Sequence, residues 1–387
     1  MAAAALHIAP GHVLNRIRRP ALIVGAIGLA ACVAGWIVDP TQFFRAYLVA
    51  YLFWTGVTLG CLAILMLQHV TGGTWGAVIR RLLESGSRLL PMMAVLFVPI
   101  AVGVRHLYEW ARPEVVAGDA VLQFKSLYLN VPFFLVRAAI YFVAWIVVAR
   151  LLNAWSLDQD RTAAHAPVRR MELLSRGGLV LYGFTITYAS VDWIMSLAPH
   201  WYSTIFPLIV MGGQAVSAFG LVIPVFALLV IDGPLHDVIT AKQFQDLGNL
   251  LLAFVMLWAY FAFSQYLLIW CGNLKEEIPW YLPRTTGPWY VIALLLMVFH
   301  FSVPFVLLLM RGVKRRPQVL MCVAVLLFII HYFDVFWLVL PSFSHDRIPW
   351  HWLDLASVIG LGGLWIGAFL WQLTLRPLLP INDPALP

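Results

Sequence analysis

The chain has 387 residues, of which 62% are hydrophobic and only 11% are charged, and its formal net charge is +7. A soluble domain carries about 25% charged residues, so this composition excludes an ordinary soluble fold. The basic residues lie in short segments between apolar runs, where membrane topogenesis explains them better than nucleic-acid binding does. We therefore expect no nucleic-acid partner.

Ten apolar segments are long enough to cross a membrane, since a core about 30 Å thick needs roughly 20 helical residues. They do not alternate with a period of two, as barrel strands do, so their backbones must be hydrogen-bonded within helices. The predicted fold class is an all-α polytopic membrane protein with about ten transmembrane helices. In chain order these are Pro20–Val38, Phe43–Gln68, Leu89–Leu107, Asn130–Leu152, Gly177–Leu197, Thr204–Ile231, Leu247–Cys271, Pro288–Met310, Gln318–Leu340 and Leu353–Leu375.

Faint internal matches indicate a repeat of four helices. Related tetrapeptides end the third helix (His106–Glu109) and the seventh (Asn273–Glu276), and Asp192 and Asp334 each precede a proline by seven residues. A parallel repeat predicts two four-helix bundles related by an axis along the membrane normal. The predicted parts are an N-terminal segment with the first helix (1–42), a bundle of helices 2–5 (43–203), a bundle of helices 6–9 (204–341), and the tenth helix with its tail (342–387).

The distribution of Lys and Arg predicts the orientation. With the N-terminus inside, seventeen of these residues fall in inner segments and six in outer segments, while Arg45 and Arg137 lie within apolar segments. Cytoplasmic loops carry the excess of positive charge. We expect a multi-pass protein of a bacterial inner membrane with both termini in the cytoplasm.

Two long inner segments stand out between the predicted helices. Thr71–Arg88 is glycine-rich and then amphipathic, which favours a position in the membrane interface. Asn153–Arg176 is the longest polar segment and is predicted to be a loop. Both are interpreted as interfacial supports rather than active sites.

Ionisable residues inside apolar helices are costly and usually functional. Most of those found here fall in the outer half of the membrane: Arg137, Tyr188, Asp192, His300, His331 and Asp334. His331 and Asp334 are three residues apart and therefore share a helix face. Because imidazole titrates near neutral pH, such a pair could bind a quinone or accept its protons. The alternative is that Arg137 pairs with Asp192 or Asp334 and only joins helices.

The inner half offers fewer candidates for proton entry. They are His69 at the end of the second helix and, after the sixth helix, Asp232, His236 and Asp237. Polar side chains that could line a wet path between the two halves are Thr55, Thr58, Gln214 and Ser217. The alternative is that these hydroxyl groups bond only to their own helix backbone.

Cofactor signals are sparse. The four cysteines form neither a CxxC pair nor a CxxCH haem-attachment motif, so covalent haem and cysteine-ligated clusters are not expected. His300 and His331 could in principle be axial ligands of a b-type haem, but bis-histidine cytochromes usually offer more candidates. We expect no metal site, no covalently bound cofactor and no haem b.

Two stretches carry a resemblance to a known family. Ser196-Leu-Ala-Pro-His-Trp-Tyr-Ser-Thr-Ile-Phe206, and the region from Phe244-Gln-Asp-Leu-Gly-Asn249 to Asn273-Leu-Lys-Glu-Glu277 and Trp280, resemble the NrfD-like (polysulfide-reductase membrane subunit) family. Within it, the chain is most similar to the second NrfD-like subunit, the F subunit, of bacterial alternative complex III. The resemblance covers nearly all ten helices.

The resemblance implies a role in a respiratory complex that oxidises menaquinol. The implied partners are an iron–sulfur subunit, multihaem c-type cytochrome subunits and a second NrfD-like subunit, which is the better candidate for the quinol site. Lipids and a terminal oxidase are further partners, and the acceptor is cytochrome c or another periplasmic carrier. The chain itself would carry no cofactor, and it would be the structural partner of that second subunit and a candidate route for protons.

Two other functions stay open from the residues alone. A proton-coupled secondary transporter would also suit parallel repeats and charges in the membrane, but no predicted segment is clearly broken. The third possibility is a purely structural anchor for peripheral subunits.

Overall fold

The structure, a computed structural model, describes residues 7–9, 11–162, 165–231 and 233–383. Within these ranges nine helices are long and apolar enough to cross a membrane, and there is no strand. The predicted fold class is therefore confirmed, and the chain is an all-α multi-pass membrane protein.

Ten long helices correspond to the ten predicted segments. The one that is not among the nine apolar spans is α5, which has 29 residues but begins with a polar stretch. The long helices are α1 (Val13–Val38), α2 (Pro40–Thr71), α3 (Arg80–Val102), α4 (Val131–Thr162), α5 (His165–Trp193), α6 (Phe206–Ile231), α7 (Ala241–Gly272), α8 (Gly287–Leu309), α9 (Pro317–Val339) and α10 (Trp352–Thr374).

Short helices occupy the connections between them. They are α-helical turns at Thr74–Ala77, Val104–Leu107, Pro113–Ala117, Ala120–Lys125, Leu282–Thr285 and Arg311–Lys314, and 3₁₀ turns at Glu109–Ala111, Met195–Leu197, Ile278–Trp280 and Leu340–Ser342.

Helices α2 and α6 form the centre of the molecule. The most apolar part of α2 is 94% buried and that of α6 is 72% buried, whereas the corresponding part of α7 is only 28% buried. α2 contacts α1, α3, α5, α6, α9 and α10, and α6 also contacts α5, α7 and α9. The apolar side chains on the outside of α7 and similar helices face the space that lipid fills.

Contacts among α2–α5 and among α6–α9 are both extensive, and α2 and α6 also contact each other closely. These pairings do not test whether the two groups repeat each other, so the division into two bundles stays a prediction.

The most extensive contact between two long helices is that of α1 with α10, and glycines make it possible. A Cβ atom on Gly28 would lie 2.5 Å from Gly360 Cα, and one on Gly25 would lie 2.5 Å from Leu364 N. Such distances leave no room for a side chain, so the two backbones touch directly. Small residues at the interface are the usual means of close approach between membrane helices.

Two of the predicted loops are helical instead. The polar segment predicted as a loop at 153–176 is wrong, because α4 continues to Thr162 and α5 begins at His165. The segment 71–88 is also helical in its second half, where Arg80, Arg81 and Glu84 are at most 2% exposed; its position in the membrane interface stays a prediction. Amphipathic periodicity there reflects a helix that begins inside the protein.

Two helices are interrupted, contrary to the expectation of unbroken segments. α3 is divided into short pieces separated by turns at Arg88–Leu89 and Phe97. Pro91 and Pro99, just after these turns, have no backbone N–H to donate. α8 contains a π-helical turn at Met297–Ser302.

Candidate functional site

Three predicted residues from two helices meet inside the protein. His300 of α8, His331 of α9 and Asp334 of α9 are all at most 4% exposed. The two imidazole rings lie 5.6 Å apart in nearly parallel planes, and His331 Nδ1 lies 3.4 Å from Asp334 Oδ2. We call this group the histidine cluster.

Local sequence explains how His300 comes to point inward. Pro304 has no N–H group to offer to the carbonyl of His300, four residues earlier, and the π-helical turn lies directly before it. Single π-turns are common at functional sites because they rotate one side chain away from the regular helical position.

Trp258 of α7 holds the cluster from the other side. Its Nε1 donates a hydrogen bond of 3.1 Å to Asp334 Oδ2, and its indole lies edge-on to the His300 ring with centroids 4.0 Å apart. Gly213 of α6 makes room for the second imidazole, because a Cβ atom there would lie 2.4 Å from His331 Cε1. The sequence prediction did not include Trp258, although the residue belongs to the stretch that resembles the known family.

A cavity of about 40 Å³ adjoins the cluster. His331 and Asp334 border it together with Thr55 of α2, Ser190 of α5 and Gln214 of α6. One water molecule needs about 10–15 Å³, so the cavity can hold more than one. It lies where the two predicted bundles meet.

Several polar atoms at the site have no hydrogen-bond partner among the described residues. These are both ring nitrogens of His300, Nδ1 of His331 and the hydroxyl oxygen of Thr55. Buried polar groups are nearly always hydrogen-bonded. Unpaired buried nitrogens next to a polar cavity are typical of a site that works with water, protons or a ligand.

The cluster also has the composition of a metal site. Its candidate ligand atoms all lie within 4.8 Å of one another. Zinc bonds to histidine and carboxylate at about 2.0–2.2 Å and would draw the three side chains closer together. Exchange of a proton between His331 and Asp334 requires no such movement.

Larger groups do not fit this space. Pockets for drug-sized ligands measure about 300–1,000 Å³, and the cavity is far smaller than a porphyrin or a naphthoquinone ring needs.

Arg137 and Asp192 form a separate buried ion pair. Arg137 Nε and Nη2 each donate a hydrogen bond of 2.8 Å to Asp192, and the Tyr141 hydroxyl donates a third, also 2.8 Å. Of the two partners named from the sequence, Asp192 is the one present. Tyr188, predicted to share the face of Asp192, is 49% exposed and points outward.

A third polar group, missed by the sequence prediction, surrounds Glu84 at the start of α3. Glu84 accepts hydrogen bonds from Arg80 (3.0 Å), Arg81 (2.7 Å) and Arg376 (3.2 Å), and Ser156 donates a fourth at 2.5 Å. Arg80 and Arg81 also pair with Asp383 and Asp160. The spacing of Arg80 and Glu84 by four residues was the available signal. We call this the arginine end of the molecule.

The predicted proton-entry residues lie at or near this end but do not assemble into one site. His69 is half-buried and interacts electrostatically with Arg80 and Glu84. His236 and Asp237 are exposed in the connection after α6, and His236 Nδ1 lies 3.0 Å from the carbonyl oxygen of Val230. Asp232 lies outside the described residues.

Of the four polar residues proposed for a path, two border the cavity and two are hydrogen-bonded elsewhere. Thr55 and Gln214 line it, and Gln214 Oε1 accepts a hydrogen bond of 2.6 Å from Tyr182. Thr58 donates to the Trp54 carbonyl and also accepts a hydrogen bond from Trp365 Nε1 of α10, whereas Ser217 donates to the Gln214 carbonyl.

Arg284, at the opposite end, was also missed. It is 1% exposed, its guanidinium lies 3.8 Å from the Trp280 ring centroid, and it donates to the Leu338 carbonyl at 2.8 Å. Burial lowers the pKa of Arg284 to about 9. It joins the α7–α8 connection to the end of α9.

Comparisons with known proteins add no family. No family model matches the chain, and no curated protein matches it.

Proposed function

We propose that this chain is a membrane subunit of a quinol-oxidising respiratory complex and that its histidine cluster transfers protons. The observation that carries the proposal is the position of His331 and Asp334 beside a polar cavity, with His300 next to them. The sequence resemblance to the NrfD-like F subunit of alternative complex III gives the class of complex.

The chemistry suits protons rather than electrons. Imidazole can take up a proton on one nitrogen and release one from the other. The nitrogen His331 Nδ1, which would carry the proton, lies 3.4 Å from Asp334 Oδ2, so the pair needs only a small movement to form a hydrogen bond. The fixed Trp258 donor keeps one Asp334 oxygen oriented, so the exchange has a defined geometry.

A route toward the arginine end follows α2. Thr55 borders the cavity, and His69 lies fourteen residues further along the same helix, which is about 21 Å. At the cavity end of this route the Tyr182–Gln214 hydrogen bond supplies further polar atoms. His69 and Glu84 stand at the end of this route, and the orientation proposed from Lys and Arg places that end in the bacterial cytoplasm.

The quinol itself fits better outside this chain's interior. Menaquinol oxidation yields two protons and two electrons. The cavity of about 40 Å³ is too small for the quinol but has room for water molecules that could carry the protons. A second NrfD-like subunit would hold the quinol, and iron–sulfur and multihaem subunits would take the electrons to cytochrome c, another carrier or an oxidase. The residues of the histidine cluster would receive or relay protons at His331 and Asp334.

Copurification tests the assignment to a complex. A tagged chain, expressed in its natural host and extracted in mild detergent, is expected to bring down iron–sulfur and multihaem c-type subunits, visible by mass spectrometry and haem absorbance. Recovery of the chain without these partners would contradict the proposal that it is a subunit of such a complex.

Substitution of the cluster tests the proton role within that complex. Asp334→Asn and His331→Gln are expected to slow quinol oxidation about tenfold, less than the roughly 100-fold typical of losing a direct acid or base, because water in the cavity can bypass one group. Asp346→Asn and His345→Gln change the same residue types at exposed positions and should leave turnover unchanged. If all four variants had the same turnover and released the same number of protons per electron, the proton-transfer role would be excluded and the histidine cluster would have only a structural role.

One observation favours a second function, a proton-coupled secondary transporter. Broken helices often form substrate sites in such proteins, and α3 and α8 are interrupted. Proteoliposomes holding the purified chain alone distinguish the two functions. Uptake of a solute driven by a pH gradient would support transport, whereas an anchor or complex subunit alone would show none.

A further inference from the structure

A cleft at the arginine end carries positive charge that the described residues balance only in part. It measures about 400 Å³ and lies where α3, α4 and α10 meet. Arg88, Arg150 and Arg376 line it, and its lining residues include no carboxylate. We call it the Arg88 cleft.

The carboxylates nearby are already shared among other arginines. Glu84 pairs with Arg80, Arg81 and Arg376, and the other two acids, Asp160 and Asp383, pair with Arg81 and Arg80. With Arg88 and Arg150 included, five arginines and three carboxylates lie in this region among the residues that the structure describes. Two positive charges therefore remain without a counter-charge in this network.

Arg88 is the clearest uncompensated cation. It is half-buried, and among the described residues it has no ion pair. Its Nη2 donates instead to the Gln372 carbonyl at 2.9 Å and to the Ser85 hydroxyl at 3.2 Å. Its Nε is buried without a partner. A cation in this position is costly unless an anion approaches it.

Arg376, beyond the end of α10, is only partly balanced, because it pairs with Glu84, a carboxylate that Arg80 and Arg81 also use. Burial lowers the pKa of its guanidinium, Glu84 opposes that change and Arg81 adds to it.

The parts of the cleft wall that arginines do not form are mostly apolar. Pro91, Ile146 and Leu157 line the cleft together with the basic groups, and Arg150 and Ala154 on its rim are exposed. Arginine binds phosphate with two parallel hydrogen bonds, and basic pockets between membrane helices receive anionic headgroups. A phosphate flanked by hydrocarbon matches both parts of the surface.

We propose that the Arg88 cleft binds the phosphodiester group of an anionic glycerophospholipid, with its glycerol and upper acyl chain against Ile146 and Leu157. We expect a headgroup that has no ammonium group. The lining of the cleft contains arginines that would attract the phosphate but no carboxylate that could pair with an ammonium group. Free phosphate shares the anionic chemistry but would not use the apolar wall. The lipid stabilises the junction of α3, α4 and α10.

Native mass spectrometry of the full chain, purified in detergent and titrated with lipid, tests the proposal. Phosphatidylglycerol is expected to bind more tightly than phosphatidylcholine. Since each arginine near a headgroup contributes about a fivefold gain, Arg88→Gln/Arg150→Gln should weaken phosphatidylglycerol binding about thirtyfold. Arg150→Gln alone, at an exposed position, should weaken it about fivefold and keeps the test valid if the double variant does not fold.

Arg169→Gln/Arg170→Gln is the matched control, because both residues are exposed on α5 at the same end and do not line the cleft. It should bind lipid like the natural chain. Equal affinity for both lipids would overturn the proposal, as would equal weakening in the control. Displacement of the lipid by millimolar inorganic phosphate would also overturn it, in favour of a free-phosphate site.

Discussion

Arg137 and Asp192 form a bidentate ion pair, with two hydrogen bonds of 2.8 Å that join α4 to α5. The Tyr141 hydroxyl donates to the same carboxylate, and the Arg137 guanidinium lies 3.8 Å from the centroid of the Tyr128 ring. Because both carboxylate oxygens are occupied by fixed donors, Asp192 is poorly placed to accept a travelling proton. The pair therefore joins helices, in contrast to the unpaired nitrogens of the histidine cluster.

Removing one member of this pair should destabilise the protein strongly. Asp192→Leu leaves Arg137 buried and unpaired, which costs about 3–5 kcal/mol. The double variant Arg137→Met/Asp192→Leu should recover most of that loss, since no charge remains buried. Thermal unfolding in detergent measures both. A double variant no more stable than Asp192→Leu would contradict the pairing.

Gly213→Ala should disturb the histidine cluster directly. The added methyl group would lie 2.4 Å from His331 Cε1, and relief of such overpacking costs about 1–3 kcal/mol. We expect lower thermal stability and, in the complex, slower quinol oxidation. Gly183→Ala in α5 is the control, because a Cβ atom there has no neighbour within 4 Å; it should unfold no earlier than the natural chain. Similar behaviour of the two variants would show that the imidazole position is not fixed by Gly213.

Trp258 is expected to act as a positioning residue. Trp258→Phe removes the 3.1 Å hydrogen bond to Asp334 and leaves a buried oxygen unpaired, at a cost of about 1–3 kcal/mol. Turnover and the number of protons released per electron should both fall in the complex. Trp270→Phe provides the comparison, since Trp270 lies on the same helix and is 66% exposed. A fall in stability without any change in proton release would limit Trp258 to packing.

Glu84 should be the residue on which the arginine end depends most. Glu84→Gln removes the carboxylate that pairs with three arginines, so we expect a loss of about 3–5 kcal/mol. Glu172→Gln breaks an exposed pair with Arg176 at the same end and should cost less than about 1 kcal/mol. Thermal unfolding of the two variants side by side gives the comparison. Equal losses would mean that the Glu84 network is not held by charge.

The histidine cluster was only partly predictable. His331 and Asp334 could be placed on one face because they are three residues apart on one helix. The contact of His300 with them depends on the π-helical turn before Pro304 and on how α8 packs against α9. The spacing of residues within one helix gives no information on the π-helical turn or on the packing of α8 against α9. Glu84 and its arginines were missed because a charged stretch beside a membrane span resembles an interfacial loop.

The sequence by itself determined that the chain crosses a membrane as about ten helices, because the free energy of moving each residue into lipid adds up along a segment and needs no knowledge of its neighbours. The tertiary structure decided which polar residues meet. A helix such as α2 is apolar on every side, so no periodicity fixes its rotation about its own axis. That rotation follows from close packing against other helices, and it brings Thr55 of α2 to the cavity beside His331 and Asp334.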